Sequence, residues 1–437
     1  MDYFIQGAQL ILSISILVVL HELGHFIPAK LFKTRVEKFY LFFNPWFSLV
    51  KKKIGDTEYG IGWLPLGGYV KIAGMIDESM DKEQMKQPPQ PWEFRSKPAW
   101  QRLIIMLGGI IVNVLLAFII YGMVLFVWGE QYLPAQNAKY GVHCDSLAIN
   151  IGFQNGDKII ALDNEPVNDK TYGEITAAIL LDDIKTVTVD RNNKKEIINI
   201  PEGFNKKVID KKIKGLFVEN VPFVIDTLLP NKPAIKSGFK KNDRIIAVNN
   251  HSTPYYFEIV DQMKNNKGKE ITVDVLRGSD TVSLSVTVTE NGTIGIGNKP
   301  LDQYFEIAEK HYSFFEAIPA GVNKTISTLD LYVSQFKLLF TKEGIKQVGG
   351  FATISKLYGT QWNWQNFWTQ TAFISIILAF MNLLPIPALD GGYVLFLLGE
   401  IITGRKPSEK FMERAVTAGF IILLLFMLYA NTDFLRF

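Results

Sequence analysis

The first apolar segment of the chain contains two histidines and a glutamate, in the stretch SISILVVLHELGHFIPAK at residues 13–30. His21 and His25 are four residues apart, so on a helix they lie on one face, ~6 Å apart along the axis. That spacing lets two imidazoles bind one metal ion and leaves Glu22 beside it as a general base for an attacking water. Because ionisable side chains are costly inside a membrane helix, we predict a metal site here, in preference to core histidines satisfied by backbone carbonyls.

A second group of polar residues, in the stretch MNLLPIPALDGGY, ends a later apolar segment. A catalytic zinc has about three protein ligands and one open position, and Asp390 is the candidate for the third ligand. Pro385 and Pro387 interrupt a helix and free backbone carbonyls, which a membrane tolerates where the backbone lines a cavity. Asn382 adds an amide that can bind an extended peptide, so these three residues are the candidate substrate contacts. Without the histidine motif, we would interpret Asp390 as an ordinary acid at the membrane edge. The residue types alone do not distinguish zinc from another divalent metal.

The elements that must carry these residues are membrane spans. The chain has 437 residues, of which 48% are hydrophobic, and a formal net charge of +3. Four apolar runs approach the ~20 residues that cross a bilayer, at residues 4–27, 103–127, 373–389 and 415–429. No basic residue precedes the first run, so we do not expect a cleaved signal peptide. The single cysteine, Cys144, excludes an internal disulfide framework, and the charge pattern predicts no nucleic-acid surface.

Lysine and arginine are concentrated in two of the loops between these runs. Residues 30–53 follow the first run and carry many basic residues, and residues 405–414 lie between the third and fourth runs. The positive-inside rule places both loops in the cytoplasm. We therefore expect a multi-pass protein of the cell inner membrane, with both termini and the long insert in the periplasm and the metal site toward the cytoplasmic side.

The long insert between the second and third runs contains an internal repeat. SLAINIGFQNGDKIIALDNEPV, from Ser146, aligns with KPAIKSGFKKNDRIIAVNNHST, from Lys232. Each copy predicts a turn, a strand, a helix (residues 171–181 and 256–264) and then β-branched strands. The pattern resembles the circularly permuted, bacterial form of the PDZ domain. PDZ domains bind peptides by strand addition, so peptide ligands are a candidate role, and two spacer domains without ligands are the alternative.

Two further segments flank the apolar runs. FSLVKKK, the turn at Gly55-Asp56 and TEYGIGW predict a β-hairpin, whose edge could hold an extended substrate; a surface hairpin is the alternative. Residues 311–357 are amphipathic and rich in aromatic residues. They predict interfacial helices, with a plain linker as the alternative.

HELGH in the first run, NLLPIPALDGG in the third, four apolar runs and tandem PDZ-like repeats together resemble the site-2 protease family of intramembrane metalloproteases. The resemblance covers essentially the whole chain, and the tandem repeats and the tail NTDFLRF are similar to its RseP (regulator-of-sigma-E protease) branch. In the second run the family often has Gly-Pro before its asparagine, whereas here Gly109-Ile110 precede Asn113.

The resemblance implies an activity and its parts. It implies one zinc ion bound by His21, His25 and Asp390, Glu22 as the base, and Asn382 against the substrate backbone. It also implies a hairpin that dips into the lipid bilayer. The substrate would be a membrane-spanning anti-sigma factor, already trimmed outside, in an envelope stress response, and the PDZ pair would act as a filter of substrate size.

We therefore expect a polytopic α-helical membrane protein with four transmembrane helices, two inserted, circularly permuted PDZ-like α+β domains and a membrane-associated β-hairpin. The expected segments are the first transmembrane helix (1–30), a cytoplasmic loop with the hairpin (31–101), the second transmembrane helix (102–128), two PDZ domains (129–220 and 221–300), juxtamembrane helices (301–366), the third transmembrane helix (367–392), a cytoplasmic loop (393–413) and the fourth transmembrane helix with the tail (414–437).

The rival interpretation is a membrane scaffold or receptor whose PDZ domains bind peptides and whose metal is structural. Structural zinc sites are closed by about four protein ligands, so an open three-ligand site beside Glu22 favours an enzyme. A metal transporter would need ionisable residues along several spans, and these runs carry few outside the two motifs.

Overall fold

A computed structural model describes residues 2–65, 67–75, 87–182, 184–210, 215–336 and 349–432. The contacts divide the chain into two compact units, one formed by Met1–Gly129 with His311–Phe437 and the other by Glu130–Lys310. Most of the tail NTDFLRF and part of the predicted juxtamembrane segment lie outside the described residues.

The helices are α1 (Asp2–Leu31), α2 (Ala99–Trp128), α3 (Ser146–Asn150), α4 (Tyr172–Leu181), α5 (Phe204–Asp210), α6 (Pro233–Lys236), α7 (Tyr256–Asn265), α8 (Phe314–Phe336), α9 (Phe351–Ser355), α10 (Trp364–Leu383), α11 (Asp390–Thr403) and α12 (Glu409–Ala430). The strands are β1 (Val36–Leu41), β2 (Val50–Ile54), β3 (Thr57–Ile61), β4 (Tyr69–Ile72), β5 (Glu130–Tyr132), β6 (Val142–Cys144), β7 (Lys158–Leu162), β8 (Glu165–Pro166), β9 (Thr186–Arg191), β10 (Lys194–Asn199), β11 (Phe217–Glu219), β12 (Ile225–Leu228), β13 (Arg244–Val248), β14 (His251–Ser252), β15 (Glu270–Arg277), β16 (Asp280–Thr287), β17 (Ile296–Asn298) and β18 (Ala308–Lys310).

Three helices in the described ranges, α1, α2 and α12, are long and apolar enough to cross a membrane. A helix satisfies its own backbone hydrogen bonds, which is why apolar segments cross a bilayer in this form. The chain is therefore a multi-pass membrane protein. Helix α10, which contains most of the predicted third span, is not among the three, so the fourth crossing stays a prediction.

The segment predicted as one third span, residues 367–392, is not a single helix. Helix α10 ends before Pro385 and Pro387, and α11 begins only at Asp390. Each proline lacks a backbone N–H and cannot continue a helical ladder. Between the helices Ala388 has a φ of 88°, a conformation that residues with a side chain rarely adopt. The prolines therefore break the segment, as the sequence predicts, and the break lies next to the predicted ligand.

The segment predicted as a cytoplasmic loop, residues 393–413, also differs from its expectation. Helix α11 occupies its first part and ends at Thr403, and the next residue, Gly404, has a φ of 66°, which is typical of the residue after a helix. Val394 and Leu397 are buried, three residues apart, so they lie on one face of the helix. This buried apolar face explains why the segment folds as a helix and not as an open loop.

The chain between α1 and α2 forms a four-stranded sheet in the order β2-β3-β1-β4. The predicted hairpin forms, because β2 and β3 pair in an antiparallel register from Val50 with Ile61 to Ile54 with Thr57. Strand β1 then pairs parallel with β3 and antiparallel with β4. The hairpin is thus half of a larger sheet, and β4 is one edge of it. Its association with the membrane stays a prediction.

The inserted unit contains two similar four-stranded sheets, in the orders β10-β9-β7-β8 and β14-β13-β15-β16. Helices α4 and α7 lie at the positions where each repeat predicts one. Each repeat buries its own apolar cluster. Two separate cores agree with two copies of one α+β domain, and their assignment as PDZ domains stays a prediction.

A buried ion pair recurs in both repeats. Asp157 binds Arg191 in the first, and Asp243 binds Arg277 in the second, with nitrogen–oxygen distances of 2.7 Å. Each arginine also donates to a glycine carbonyl, Gly152 in the first repeat and its counterpart in the second. Burial raises the pKa of Asp243, but the hydrogen bonds from Arg277 outweigh it and the pKa falls below its usual value. The aspartates shared by the repeats are therefore structural.

Candidate metal centre

Helix α1 holds the two histidines at the spacing that the sequence predicts. The Nε2 atoms of His21 and His25 are 3.2 Å apart, and the ring planes are nearly perpendicular. Both rings are largely buried within the unit. Glu22 lies beside them, on the wall of the same cavity.

Asp390, the first residue of α11, joins the two histidines. Its Oδ2 atom lies 3.3 Å from the Nε2 atom of His21 and 3.3 Å from that of His25. The apolar face of α11 fixes this position, since Tyr393 shares a buried cluster with Ile105 of α2 and with residues of α1. The structure therefore brings together all three predicted metal ligands.

The geometry of the three ligand atoms fits a zinc ion. At metal–ligand bonds of about 2.0–2.1 Å, tetrahedral ligands lie about 3.3 Å from one another, close to the 3.2–3.3 Å found here. Within the described residues, Oδ2 of Asp390 is buried and has no hydrogen-bond partner, a costly state unless a cation binds it. Among the described residues, this is the group of histidine, cysteine and acidic side chains that could hold a metal ion.

Gly109 of α2 leaves room at the centre. A Cβ atom at this position would meet Nε2 of His25, and it would lie 2.6 Å from Cε1 and 2.8 Å from Nδ1 of His21. Ordinary contact begins at 3.4 Å, so any larger residue would displace the imidazoles. The contacts with the two imidazoles explain why a glycine occupies this position of the second apolar run.

Helix α2 also contacts the outer nitrogen of each histidine. Nδ1 of His25 lies 2.8 Å from the carbonyl oxygen of Ile105, and Nδ1 of His21 lies 3.1 Å from the side-chain amide of Asn113. Sequence reasoning missed both contacts. A backbone carbonyl carries no sequence signal, whereas an asparagine within an apolar membrane helix is itself a signal.

The centre opens into a cavity of about 890 Å³. Part of its wall is strand β4, where the backbone of Val70 interacts with the Glu22 carboxylate. The other side is apolar and includes Phe420 and Met427 of α12. The cavity therefore combines a metal site, an acidic group and the edge of a β-sheet. Together these features can bind a peptide and hydrolyse it.

The predicted substrate contacts lie at different distances from the centre. The amide nitrogen of Asn382 is 3.5 Å from Nε2 of His21, so this side chain faces the metal ligands. Pro385 is exposed. Pro387 packs closely against Gly419 of α12, because a Cβ atom at position 419 would collide with the carbonyl group of Pro387. The cavity wall at this point is formed by the residues just before Asp390. Roles for the two prolines in substrate binding stay a prediction.

The chain is similar to known proteins along nearly its whole length. The family model described as Peptidase family M50 matches residues 9–426. A putative zinc metalloprotease of Neisseria meningitidis is 28% identical, over 96% of both chains. A putative zinc metalloprotease of Vibrio cholerae is 29% identical, over 98% of this chain and 97% of the relative. The regulator of sigma-E protease RseP of Escherichia coli is 27% identical, over 98% of both chains.

Proposed function

This chain belongs to peptidase family M50, and from that membership we propose how its residues cleave a protein within the membrane. It is a zinc metalloendopeptidase of the site-2 protease type that acts on membrane proteins. The proposal is that His21, His25 and Asp390 hold the zinc ion and that Glu22 is the catalytic residue. The observation that carries it is the triangle of ligand atoms at 3.2–3.3 Å, with Glu22 on the wall of the same cavity.

The metal ligands and Glu22 have different roles in the hydrolysis of the peptide bond. Held by His21, His25 and Asp390, a zinc ion would supply Lewis-acid polarisation of the scissile carbonyl and would make a water molecule more acidic. Glu22 takes the proton of the attacking water and passes it to the leaving amine, so that a peptide bond breaks without a free charge in the hydrocarbon. His21, His25 and Asp390 would hold the ion with three protein ligands, whereas structural zinc sites are closed by about four. The number of ligands therefore favours a catalytic site.

A transmembrane substrate must be extended before it is cut, because a helix hides its peptide bonds. We assign its extended form to the edge of β4, whose backbone at Val70 reaches Glu22. Strand addition at a sheet edge supplies main-chain hydrogen bonds without reading the side chains. Asn382 would bind the substrate backbone from the opposite side, an assignment supported by its 3.5 Å distance from His21.

The substrate class is proposed from the relatives. Proteins of Escherichia coli and Haemophilus influenzae that match this chain over nearly its whole length carry the name regulator of sigma-E protease. The proposed substrate is a pre-trimmed, membrane-spanning anti-sigma factor of an envelope stress response.

The proposed orientation in the cell inner membrane follows from charge. The basic residues after α1 and before α12 are assigned to the cytoplasm, with both termini and the inserted unit in the periplasm. There the insert would act as a filter that keeps bulky substrates from the centre until they are trimmed. Its support is the size of the unit, Glu130–Lys310, and its place in the chain directly after the membrane helix α2.

The decisive experiment replaces Glu22 by glutamine. The variant should bind zinc like the unaltered protein, because the three ligands are intact. Cleavage of a transmembrane substrate in detergent should fall by about 10²- to 10⁴-fold, the usual contribution of a general acid–base group. Zinc content is measured on the same preparation.

Glu165→Gln is the matched control, since Glu165 is an exposed glutamate of the inserted unit and its loss should change neither quantity. Turnover of Glu22→Gln close to that of the control would show that another group moves the proton.

A further inference from the structure

Asn113 is a buried polar residue within the apolar helix α2. Its side chain is fully buried, and its carbonyl oxygen accepts a 2.7 Å hydrogen bond from Ser375 of α10. Its amide nitrogen lies 3.1 Å from Nδ1 of His21, and its Oδ1 atom has no hydrogen-bond partner in the part of the chain that the structure describes. Buried amide oxygens normally accept a hydrogen bond, so the position of this amide next to a histidine needs a physical explanation.

The two histidines of the centre present the same ring nitrogen to the metal position. Nε2 of each faces Asp390, so Nε2 must keep a free lone pair to bind a cation. In a neutral imidazole the proton then resides on Nδ1, which needs an acceptor. His25 has one in the carbonyl of Ile105. For His21, the group that the described residues bring to Nδ1 is the side chain of Asn113.

We propose that Asn113 is a positioning residue that prepares His21 for zinc. The nitrogen and oxygen of an asparagine amide have nearly the same shape, and a half turn of the amide presents Oδ1 to Nδ1 of His21. Nδ1 then donates a hydrogen bond to Oδ1, and Nε2 faces the metal with its lone pair. The outer hydrogen bond of a metal-binding histidine fixes its tautomer and its orientation.

The second residue of this arrangement is Ser375. Its hydroxyl holds the backbone of Asn113, so α10 steadies the same turn of α2 that supports His21. Ile105 and Asn113 are eight residues apart on α2, about 12 Å along its axis. One helix thereby supports both histidines, one through its backbone and the other through a side chain.

The test is the affinity for zinc, measured by competition with a chelator on apo-protein purified in detergent. Asn113→Leu keeps the volume but removes the acceptor, and it should weaken zinc binding about 10- to 100-fold. Asn113→Asp keeps an acceptor and should restore the affinity. Thr371→Val removes a buried hydroxyl of α10 that donates to the carbonyl of Phe367 in its own helix, and it should leave the affinity near that of the unaltered protein. Asn113→Ala replaces the leucine variant if that protein does not fold.

This inference rests on the proposed metal site, and Asp390→Ala separates the two. If Asp390→Ala loses zinc while Asn113→Leu binds it like the unaltered protein, Asn113 has no positioning role and the site stands. If Asp390→Ala keeps its zinc, the proposed site is wrong. A lower melting temperature of Asn113→Leu with unchanged zinc affinity would show a merely structural role. An equal loss in the aspartate and leucine variants would also overturn the proposal.

Discussion

Replacing Gly109 by alanine is the most direct quantitative test of the geometry of the metal centre. In Gly109→Ala, the new Cβ atom would lie 2.6 Å from Cε1 of His21, and it would also meet Nε2 of His25. Ordinary contact begins at 3.4 Å, so the His21 ring must move by about 0.8 Å. Zinc ligands hold their distances within about 0.2 Å. The displaced imidazoles would therefore no longer fit the ion together.

The expected loss of affinity can be put in numbers. Changes that only touch the supports of a ligand cost about 10- to 100-fold in metal affinity, and this change moves the ligands themselves. We expect a loss of at least about 100-fold. At zinc concentrations well above both dissociation constants, that loss removes about 2.7 kcal/mol of zinc-dependent stabilisation. The assay is thermal unfolding of the detergent-purified protein with and without zinc, together with chelator competition.

Gly7→Ala is the matched control, because a Cβ atom at Gly7 of α1 would have no atom of the described ranges within 4 Å. Alanine stabilises a helix interior by about 1 kcal/mol relative to glycine, so both variants gain this local term. Only Gly109→Ala should lose the stabilisation by zinc. If Gly109→Ala binds zinc as tightly as Gly7→Ala, the two imidazoles do not lie against Gly109 when zinc is bound.

Two further predictions test orientation and gating. With Cys144 replaced by serine, cysteines introduced at the exposed positions Lys52 and Arg405 should react with an impermeant maleimide only after the membrane is opened. A cysteine at Lys194 should instead react in intact spheroplasts. Labelling of position 52 from outside would invert the proposed topology. Replacement of residues 131–309 by a short linker should allow untrimmed substrates to be cut, because the pairing of β5 with β18 brings the ends of the insert together; loss of cleavage of trimmed substrates at normal zinc content would instead show that the insert delivers them.

The elements around the centre differ in how far local sequence could predict them. The helices of both repeats were predictable because their patterns are local, and they form within a residue or so of the expected bounds. The prolines at 385 and 387 predicted a break in the third apolar run. The helix after the break was missed, since its apolar face is explained only by what it packs against. Its Tyr393 and Leu397 join a cluster with Ile105 of α2.

The sequence by itself determined the spacing of His21, Glu22 and His25, because 3.6 residues per turn fix which side chains share a helix face. It also indicated Asp390, through the proline break before it. Only the tertiary structure decided which groups support these residues. Asn113 meets His21 across 92 positions of the chain, and β4 reaches Glu22 by sheet pairing and not by any local pattern. Such contacts depend on how helices and strands pack, and packing joins residues whose separation along the chain carries no periodic signal.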